Sequence, residues 1–347
     1  MKLITYNELR NIIHLILLRL NFSDKDADLI ANHLATSDLL GHHSHGVIRL
    51  PEYCQRIRHG AIDPQANITY EDVSPNITFV DGDNGLGQLA SIFAANLAID
   101  KAKRAGLTTV GINTTNHTGR IGAYVEQIAK ANMLGIYFCN GNSKLKIMAP
   151  YGGKDAKIAA NPLAFAAPRR ANPPIVLDMA TTAIAQGKVL HARNKKEQVA
   201  TDCLLDAEGD PTCDPLDYLN GGSLLPFGGK QAYKGFGIAL IVEIFAGILS
   251  RAKMISKDMP QDNNAAFMIA FNIESFLPLD SYFAEIETLC TDIKTSRIRD
   301  GFEEILLPGQ RSNNTAEEQR KHGIQIDPCT WQNIKRIAKD LGINIET

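Results

Sequence analysis

The chain has 347 residues, of which 44% are hydrophobic and 21% charged, and its formal net charge is −2. This balance is typical of a soluble globular protein with room for two ordinary domains or one large one. The small negative charge and the lack of a basic run predict no binding to nucleic acid.

The most apolar N-terminal stretch, residues 12–20, carries a histidine and an arginine and is too short to cross a bilayer. No small-residue cleavage site follows it, so we expect neither a membrane segment nor a secretory signal. The six cysteines are scattered and form no CxxC pair, which argues against a disulfide framework or a zinc knuckle. A reducing, cytoplasmic location is therefore expected.

Three helices are predicted in the first sixty residues. Residues 5–21 repeat apolar side chains at helical spacing. Ser23 is expected to cap a second helix that ends near Leu40. A third helix is expected between Pro51, which a first turn tolerates, and Gly60, which stops it.

The loop between the second and third helices has the sequence GHHSHGVIRLPEY, residues 41–53. A zinc site is one interpretation, but no carboxylate or thiolate lies at a supporting spacing. A cluster of solvated surface histidines is the second. Acid–base chemistry is the third, because histidine titrates near neutrality and Arg49 offers a planar fork for a carboxylate. With Ser44 and Tyr53 as neutral donors, the loop suits a small 2-oxo or 2-hydroxy acid.

From Ile77 onward, apolar runs typical of strands alternate with runs at helical spacing, which predicts an α/β layer structure. The predicted strands are residues 77–82, 107–114, 134–140, 175–180 and 267–273. The predicted helices are residues 85–106, 121–132, 235–252, 315–323 and 331–343. Residues 254–265 are the best candidate for an exposed loop.

A glycine motif follows the first of these strands. Gly85, Gly87 and Ala90 match the G-x-G-x-x-G/A dinucleotide fingerprint. That fingerprint also needs an acidic residue about 20 positions later, at the end of the next strand. Asp100 lies inside the predicted helix instead, so a plain strand–turn–helix is the preferred interpretation.

The stretch NHTGRIGAY, residues 116–124, places His117 before a helix expected to start near Ile121. A helix N-terminus beside Arg120 is a natural anion site, although an ordinary turn is an equal alternative. Lys234 and Arg311, each beside glycines, could also pair with phosphates.

Together these segments resemble the malate/L-lactate dehydrogenase family that is unrelated to the Rossmann-fold lactate and malate dehydrogenases. The matching segments follow the family's order along nearly the whole chain: SHGVIRLPEY, VDGDNGLGQ, NHTGRIGAY, APYGG with NPLAFAAP, VLDMATTAIAQGK, YKGFGIALIVEI and ILLPGQ. The ordered set is specific, and GRIGAY, GSLLPFG and GIQIDPCTWQ are most similar to the hydroxycarboxylate dehydrogenase branch.

The resemblance implies a family-specific, non-Rossmann α/β fold that binds NAD or NADP and forms a homodimer with the active site near the subunit contact. It implies interconversion of a 2-oxo acid and a 2-hydroxy acid. Reduction of a cyclic imino acid and a diverged nucleotide-binding protein without activity are the alternatives. We expect a helical part, residues 1–75, packed with the C-terminal helices at 285–347, and an α/β cofactor-binding domain at 76–284. No metal is expected.

The resemblance also assigns roles by motif. His45 and His117 match two acid–base histidines, and which of them transfers the proton is left open. Ser44 and Arg49 match substrate contacts, and Tyr53 is added to them. The expected cofactor contacts are Gly119, Arg120, Ile121, Val176, Leu177, Asp178, Met179, Ala180, Thr181, Lys234, Gly235, Pro308, Gly309, Gln310 and Arg311.

Three features depart from the family's pattern. His43 stands where many members carry Asp before SHG, and ANP replaces the commoner TNP at residues 160–162. The loop after the long helix, residues 253–267, is shortened. Because that loop commonly shapes the cofactor end, the choice between NAD and NADP is not assigned from the sequence.

Overall fold

The structure, a computed structural model, describes residues 2–141, 146–252 and 263–345. Most of the exposed loop expected at residues 254–265 therefore lies outside the described residues.

The described residues form strands and helices in the following order. The strands are β1 (Lys2–Ile4), β2 (Thr69–Ser74), β3 (Ile77–Asp81), β4 (Leu107–Thr115), β5 (Met133–Gly141), β6 (Leu163–Ala167), β7 (Ile175–Met179), β8 (Leu204–Leu205), β9 (Pro211–Thr212), β10 (Ser223–Leu224), β11 (Asn264–Asn272) and β12 (Ile324–Ile326). The α-helices are α1 (Tyr6–Arg19), α2 (Asp24–Leu39), α3 (Leu50–Arg58), α4 (Gly87–Ala105), α5 (Gly122–Lys130), α6 (Gln186–Lys195), α7 (Pro215–Leu219), α8 (Tyr233–Val242), α9 (Leu279–Lys294), α10 (Gln310–His322) and α11 (Pro328–Asp340).

The first three helices begin and end close to where the sequence predicts. The hydroxyl of Thr5 accepts the backbone N–H of Glu8, whose carboxylate binds back to Thr5 N, so α1 starts with a capping box. Ser23 caps α2 through the N–H of Asp26. These caps position the histidine loop, which follows α2 directly.

A mixed seven-stranded sheet carries the rest of the fold, in the spatial order β2-β3-β4-β11-β5-β6-β7. Among the described strands of this sheet, β3 and β4 pair in parallel, and the other neighbours are antiparallel. A Rossmann domain needs a mostly parallel sheet. The glycine motif accordingly forms a plain turn between β3 and α4.

Helix α4 packs on this sheet through small side chains. Leu86 and Leu89 are buried at its start, whereas Phe93 and Leu97 are only partly buried. The fully buried stripe is instead formed by Ala90, Ala94 and Ala98. Alanines allow the helix to lie close to the strands, which explains why the larger residues are displaced to its flank.

Two large cores hold the described residues together. The first joins α1–α3 with β12 and α11, and β1 pairs with β12. The second lies between the sheet and helices α4 and α5. Helix α9 packs on β6 through Phe283 and Ile286, which contact Ala167. The expected boundary at residue 284 thus falls inside α9.

The long helix expected at residues 235–252 changes form along its length. It is α-helical as far as Val242 and continues as a π-helical turn, Glu243–Leu249. The carboxylate of Glu243 accepts bonds from the amides of Asn140 and Asn161, at 3.0 and 2.9 Å. No helix in the described part of the chain is both long and apolar enough to cross a membrane.

Candidate active site

A buried carboxylate anchors the histidine loop. Asp38, near the end of α2, accepts the backbone N–H of Val47 at 2.7 Å and lies 3.0 Å from Nδ1 of His43. A Cβ at position 46 would lie 2.2 Å from this carboxylate, so only glycine fits there. Burial raises the pKa of Asp38, and the hydrogen bond to Asp38 raises the pKa of His43. The sequence analysis missed Asp38, because the local pattern shows only a polar residue near a helix end.

Two histidines that are far apart in the chain meet beside this loop. The rings of His45 and His117 stack, with centroids 5.6 Å apart and planes 17° from parallel. Nδ1 of His45 lies 2.9 Å from the hydroxyl of Ser44. Nδ1 of His117 lies 2.6 Å from the hydroxyl of Tyr53. The structure thus brings the residues singled out at 41–53 and at 116–124 into one site.

The guanidinium of Arg49 lies at the edge of the same site. Its Nε donates to the carbonyl oxygen of Ser44 at 2.7 Å, and its Nη1 donates to Glu52 at 3.0 Å. Among the described residues, Nη2 of Arg49 makes no hydrogen bond. The fork is therefore held in place while one of its nitrogens stays available to a ligand.

Both imidazoles are neutral near pH 7. Burial, helped by the positive charge of Arg49, lowers the pKa of His45 to about 3. The same two causes, in the same order, lower the pKa of His117 well below its usual range. An arriving carboxylate would offset these positive charges, and it would make protonation of either ring easier.

A glutamine lies behind the second histidine. Gln88, from the glycine motif at the start of α4, is fully buried and donates from Nε2 to the hydroxyl of Tyr53 at 2.8 Å. The glycine motif was interpreted as a plain strand–turn–helix, and this contact was not predicted from it. No local signal identifies it, since Gln88 and Tyr53 belong to different helices.

The turn that carries His117 depends on a close backbone approach. Gly119 has φ +70°, and a Cβ there would lie 2.3 Å from Nε2 of His33. That nitrogen accepts the backbone N–H of Arg120 at 3.0 Å. Burial lowers the pKa of His33 to about 3, so its ring stays a neutral acceptor.

The anion site expected at Arg120 needs correction. The Arg120 side chain is 4% exposed and binds both carboxylate oxygens of Glu126 at 2.8 Å. The N-terminus of α5, which follows Ile121, is also taken, because Gly122 N donates to Asp178 at 2.8 Å. The guanidinium and the helix end are thus engaged by the protein's own carboxylates.

The segments expected to bind the cofactor lie next to one another. Val176 N donates to the carbonyl of Pro308 at 3.0 Å, and Phe227 N donates to the carbonyl of Thr181 at 3.0 Å. Gly235 packs against the backbone of Phe227. Residues 176–181, 235 and 308 therefore share one region of the surface.

The remaining expected contacts vary in exposure. Lys234 and Arg311 are exposed, and the ammonium of Lys234 lies 5.9 Å from the ring centre of Tyr233. Gly309 packs against Val176. Five other expected cofactor contacts in this region are exposed or partly exposed: Leu177, Met179, Ala180, Pro308 and Gln310.

Two unsatisfied polar atoms make this region suitable for a polar ligand. Oδ1 of Asn161 and Oγ1 of Thr182 are buried and have no hydrogen-bond partner among the described residues. Leaving such atoms without a partner costs about 1–3 kcal/mol each, so a bound group that satisfies them is favoured. A dinucleotide, with its many donors and acceptors, fits this chemistry.

Helix α10 connects this region to the histidine loop. It begins directly after Pro308 and Gly309, and its Ser312 hydroxyl lies 3.1 Å from Nε2 of His42. The described residues contain no group of three or more His, Cys, Asp or Glu side chains that could hold a metal ion.

The chain is similar to known proteins over nearly its whole length. The family model described as malate/L-lactate dehydrogenase matches residues 4–335. The chain is 34% identical to malate dehydrogenase from Pyrococcus abyssi, over 97% of this chain and 94% of that protein. It is 33% identical to hydroxycarboxylate dehydrogenase B from Escherichia coli, over 98% of this chain and 94% of that protein.

A solved structure gives the same result for the fold. Sulfolactate dehydrogenase from Methanocaldococcus jannaschii superposes with a TM-score of 0.90 at 33% identity, covering 99% of this chain and 98% of the other. The expected mixed α/β fold and the expected family are confirmed. The chain belongs to the malate/L-lactate dehydrogenase family and is an oxidoreductase.

Proposed function

We propose that this protein interconverts a small 2-oxo acid and the corresponding 2-hydroxy acid with NAD or NADP. The observation that carries the proposal is the meeting of His45, His117 and Arg49 at one site. The relatives named for malate and hydroxycarboxylates support the same substrate class. A nicotinamide, when bound, supplies or accepts the hydride at C2 of the substrate.

Arg49 binds the substrate carboxylate in this proposal. Its Nη2 makes no hydrogen bond to a described residue, and its Nε is fixed by the Ser44 carbonyl. A hydrogen bond from this guanidinium nitrogen to a carboxylate is charge-assisted and about twice as strong as a neutral one. The exposed Ser44 adds a hydroxyl beside the ligand. Tyr53, the other expected substrate contact, is buried, and its hydroxyl bonds His117 and Gln88, so we assign it to holding His117.

We assign proton transfer at the C2 oxygen to His117, with His45 as its stacked partner. The Nδ1 of His117 is held by the buried Tyr53, whereas Nδ1 of His45 is held by the exposed Ser44. A hydrogen bond to one ring nitrogen orients the other toward its task. His117 is therefore the better oriented of the two.

The cofactor would be held by residues 176–181 and 308–311, with Asn161 and Thr182 supplying unsatisfied polar atoms. Lys234 and Arg311 are exposed cations in or next to these segments and are the candidate phosphate ligands. Arg120 is not one of them, because Glu126 occupies its guanidinium. The remaining expected contacts, Gly119, Ile121, Gly235 and the backbone of Arg120, stay predictions.

A homodimer, a cytoplasmic location and the two-part division at residues 75/76 and 284/285 also remain predictions. The dimer has one supporting feature, an apolar patch on α8 and the π-helical turn. Its side chains are 41–64% exposed: Leu240, Ile241, Ile244, Ile248 and Leu249. Exposed apolar patches commonly mark contacts between proteins.

The two alternative functions have less support. The relatives described above are named for 2-hydroxy acids, so the comparisons do not favour a cyclic imino acid as substrate. The shortened loop that suggests a protein without activity lies largely outside the described residues. Membership of a dehydrogenase family argues for an enzyme.

A turnover screen tests the proposal. NADH or NADPH oxidation is followed with a panel of 2-oxo acids and one cyclic imino acid, and we expect turnover with the oxo acids. His117→Asn should lower kcat by roughly 10²–10⁴-fold, because it removes the acid–base group. His45→Asn should have a smaller effect, and fluorescence titration should show unchanged cofactor binding in both. Near wild-type turnover by His117→Asn would remove the assignment of His117, and turnover of the imino acid alone would replace the substrate class.

A further inference from the structure

Three side chains form a buried chain of hydrogen bonds that ends at the proposed acid–base residue. Nε2 of Gln88 lies 2.8 Å from the Tyr53 oxygen, which lies 2.6 Å from Nδ1 of His117. Gln88 and Tyr53 are both 0% exposed. Water therefore does not compete for these contacts, and the protein alone decides which atom donates to which.

The direction of the chain follows from the amide. An amide nitrogen only donates, so the Tyr53 oxygen accepts from Gln88. The phenol has a single proton, and its other neighbour in the chain is Nδ1 of His117, which must accept it. Turning the Gln88 amide over would bury its NH₂ without an acceptor, which costs more than the one unpartnered oxygen, Oε1, that it now has.

We propose that Gln88 is a positioning residue that sets the tautomer of His117 through Tyr53. Nδ1 of His117 is the acceptor, and the proton of the neutral ring lies on Nε2. Among the described residues Nε2 has no hydrogen-bond partner, so it is the nitrogen that remains for a ligand. The inference rests on the proposed function, read in the direction of oxo-acid reduction. There the neutral ring of His117 donates its Nε2 proton to the C2 oxygen, and the partly exposed ring then regains a proton from solvent.

The surroundings keep every member of the chain in the required protonation state. The charged and titratable groups that face His117 are Arg49, His45, His33 and Arg56, and with burial they lower its pKa. Burial raises the pKa of Tyr53, so the phenol keeps its proton throughout the working range of pH. A hydrogen bond received at Nδ1 also stabilises the neutral ring over the charged one.

Two substitutions of Gln88 should reverse or remove the tautomer preference of His117. Gln88→Glu has the same shape, and its ionised carboxylate accepts the Tyr53 proton, so the phenol oxygen must accept from Nδ1 of His117. Burial raises the pKa of the new carboxyl, so this variant is compared with the wild type above the pH at which that carboxyl ionises. The ring proton should then move to Nδ1, and the added negative charge should raise the pKa of His117. Gln88→Met removes the donor without adding a charge and should give a mixture of the two tautomers.

Nitrogen NMR of protein with ¹⁵N-labelled histidine measures the tautomer directly, without cofactor or substrate. The His117 signals are identified by their loss in His117→Asn. We expect an unprotonated Nδ1 in the wild type, a protonated Nδ1 in Gln88→Glu, and a titration midpoint at higher pH in that variant. Ser91→Ala is the matched control, because Ser91 lies one turn along α4 and bonds the buried Tyr137 at 2.6 Å. It should leave the His117 signals unchanged.

Kinetics give the second measurement. A histidine in the wrong tautomer can lower turnover by up to roughly 10⁴-fold, so we expect Gln88→Glu to lose at least about tenfold in kcat. The pH profile of kcat/KM should move to higher pH, and Gln88→Met should lie between Gln88→Glu and the wild type.

Each outcome has a definite meaning. A protonated Nδ1 in the wild type, or identical His117 signals in the wild type and Gln88→Glu, would overturn the inference. If Gln88→Glu does not fold, the wild-type spectrum and Gln88→Met still decide it. If the tautomer changes as expected but neither Gln88→Glu nor His117→Asn loses turnover, the tautomer assignment stands and the proposed role of His117 fails.

Discussion

At the scale of single residues, the site pairs neutral imidazoles with a fixed guanidinium. Burial and the charge of Arg49 hold down the pKa values of His45 and His117. In the proposed function, the same charge attracts the substrate carboxylate, whose arrival would ease protonation of the rings. That proposal therefore links carboxylate binding to proton transfer through Arg49.

Replacing Arg49 should separate binding from turnover. Arg49→Ala removes a charge-assisted hydrogen bond of about 1.5–3 kcal/mol, so KM for the oxo acid should rise by roughly ten- to 150-fold. Arg49→Lys should recover part of this loss, because it restores the charge but not the fork. Steady-state kinetics check both variants. Arg58→Ala is the control, because Arg58 is an exposed arginine at the end of α3. An unchanged KM in Arg49→Ala would remove the carboxylate from this position.

At the scale of elements, the histidine loop is held from both of its sides. Asp38 of α2 fixes it through the Val47 N–H, and Ser312 of α10 lies within hydrogen-bond distance of His42. Neither contact is visible in the local sequence. The loop conformation is therefore a property of how α2 and α10 pack, and the loop residues alone do not determine it.

A methyl group at position 46 should disturb this anchoring. Gly46→Ala places a carbon against the Asp38 carboxylate and should cost about 1–3 kcal/mol of unfolding free energy, as overpacking does. We also expect a lower kcat/KM, because the displaced carboxylate releases Val47 and with it the loop. Thermal unfolding and kinetics measure the two effects. Gly237→Ala is the control, since a Cβ at that position meets no atom within 4 Å. Equal stability of both variants would contradict this account of Asp38.

The sequence predicts some elements well and others poorly, for physical reasons. Caps and periodic apolar faces are local signals, so Ser23 and the helix it starts are predicted within one residue. The position of β11 between β4 and β5 is not local, because it depends on pairing across more than a hundred residues. The contact of Gln88 was missed because its partner Tyr53 lies on another helix. The Arg120–Glu126 pair is close in the chain, but it depends on how the turn before α5 folds. The segments around His45 and His117 were singled out because their side-chain types can carry acid–base chemistry themselves, and the roles of these residues stay predictions.

At the scale of the whole molecule, the apolar patch on α8 and the π-helical turn is exposed in the described part of the chain. It lies on the same continuous helical segment as Lys234 and Gly235. Covering it with a second copy would therefore place a subunit contact close to two of the expected cofactor contacts.

A charge in this patch should separate the subunits. The wild type should have about twice the mass of the 38.0 kDa chain by light scattering, and Ile244→Asp should shift it toward the single-chain value. Leu216→Asp is the control, because Leu216 on α7 is similarly exposed and lies outside the patch. A wild type that is monomeric at micromolar concentration, or a dimer unaffected by Ile244→Asp, would reject this surface as the contact.

The alanine stripe on α4 links the packing of the hydrophobic core to the position of Gln88. The same helix that lies against the strands through Ala90, Ala94 and Ala98 carries Gln88 in its first turn. A bulkier interior side chain there would lift the helix by a fraction of an ångström and shift the amide away from the phenol. Catalytic tuning could thus be lost through a change made entirely in the hydrophobic interior, with every polar residue of the site intact.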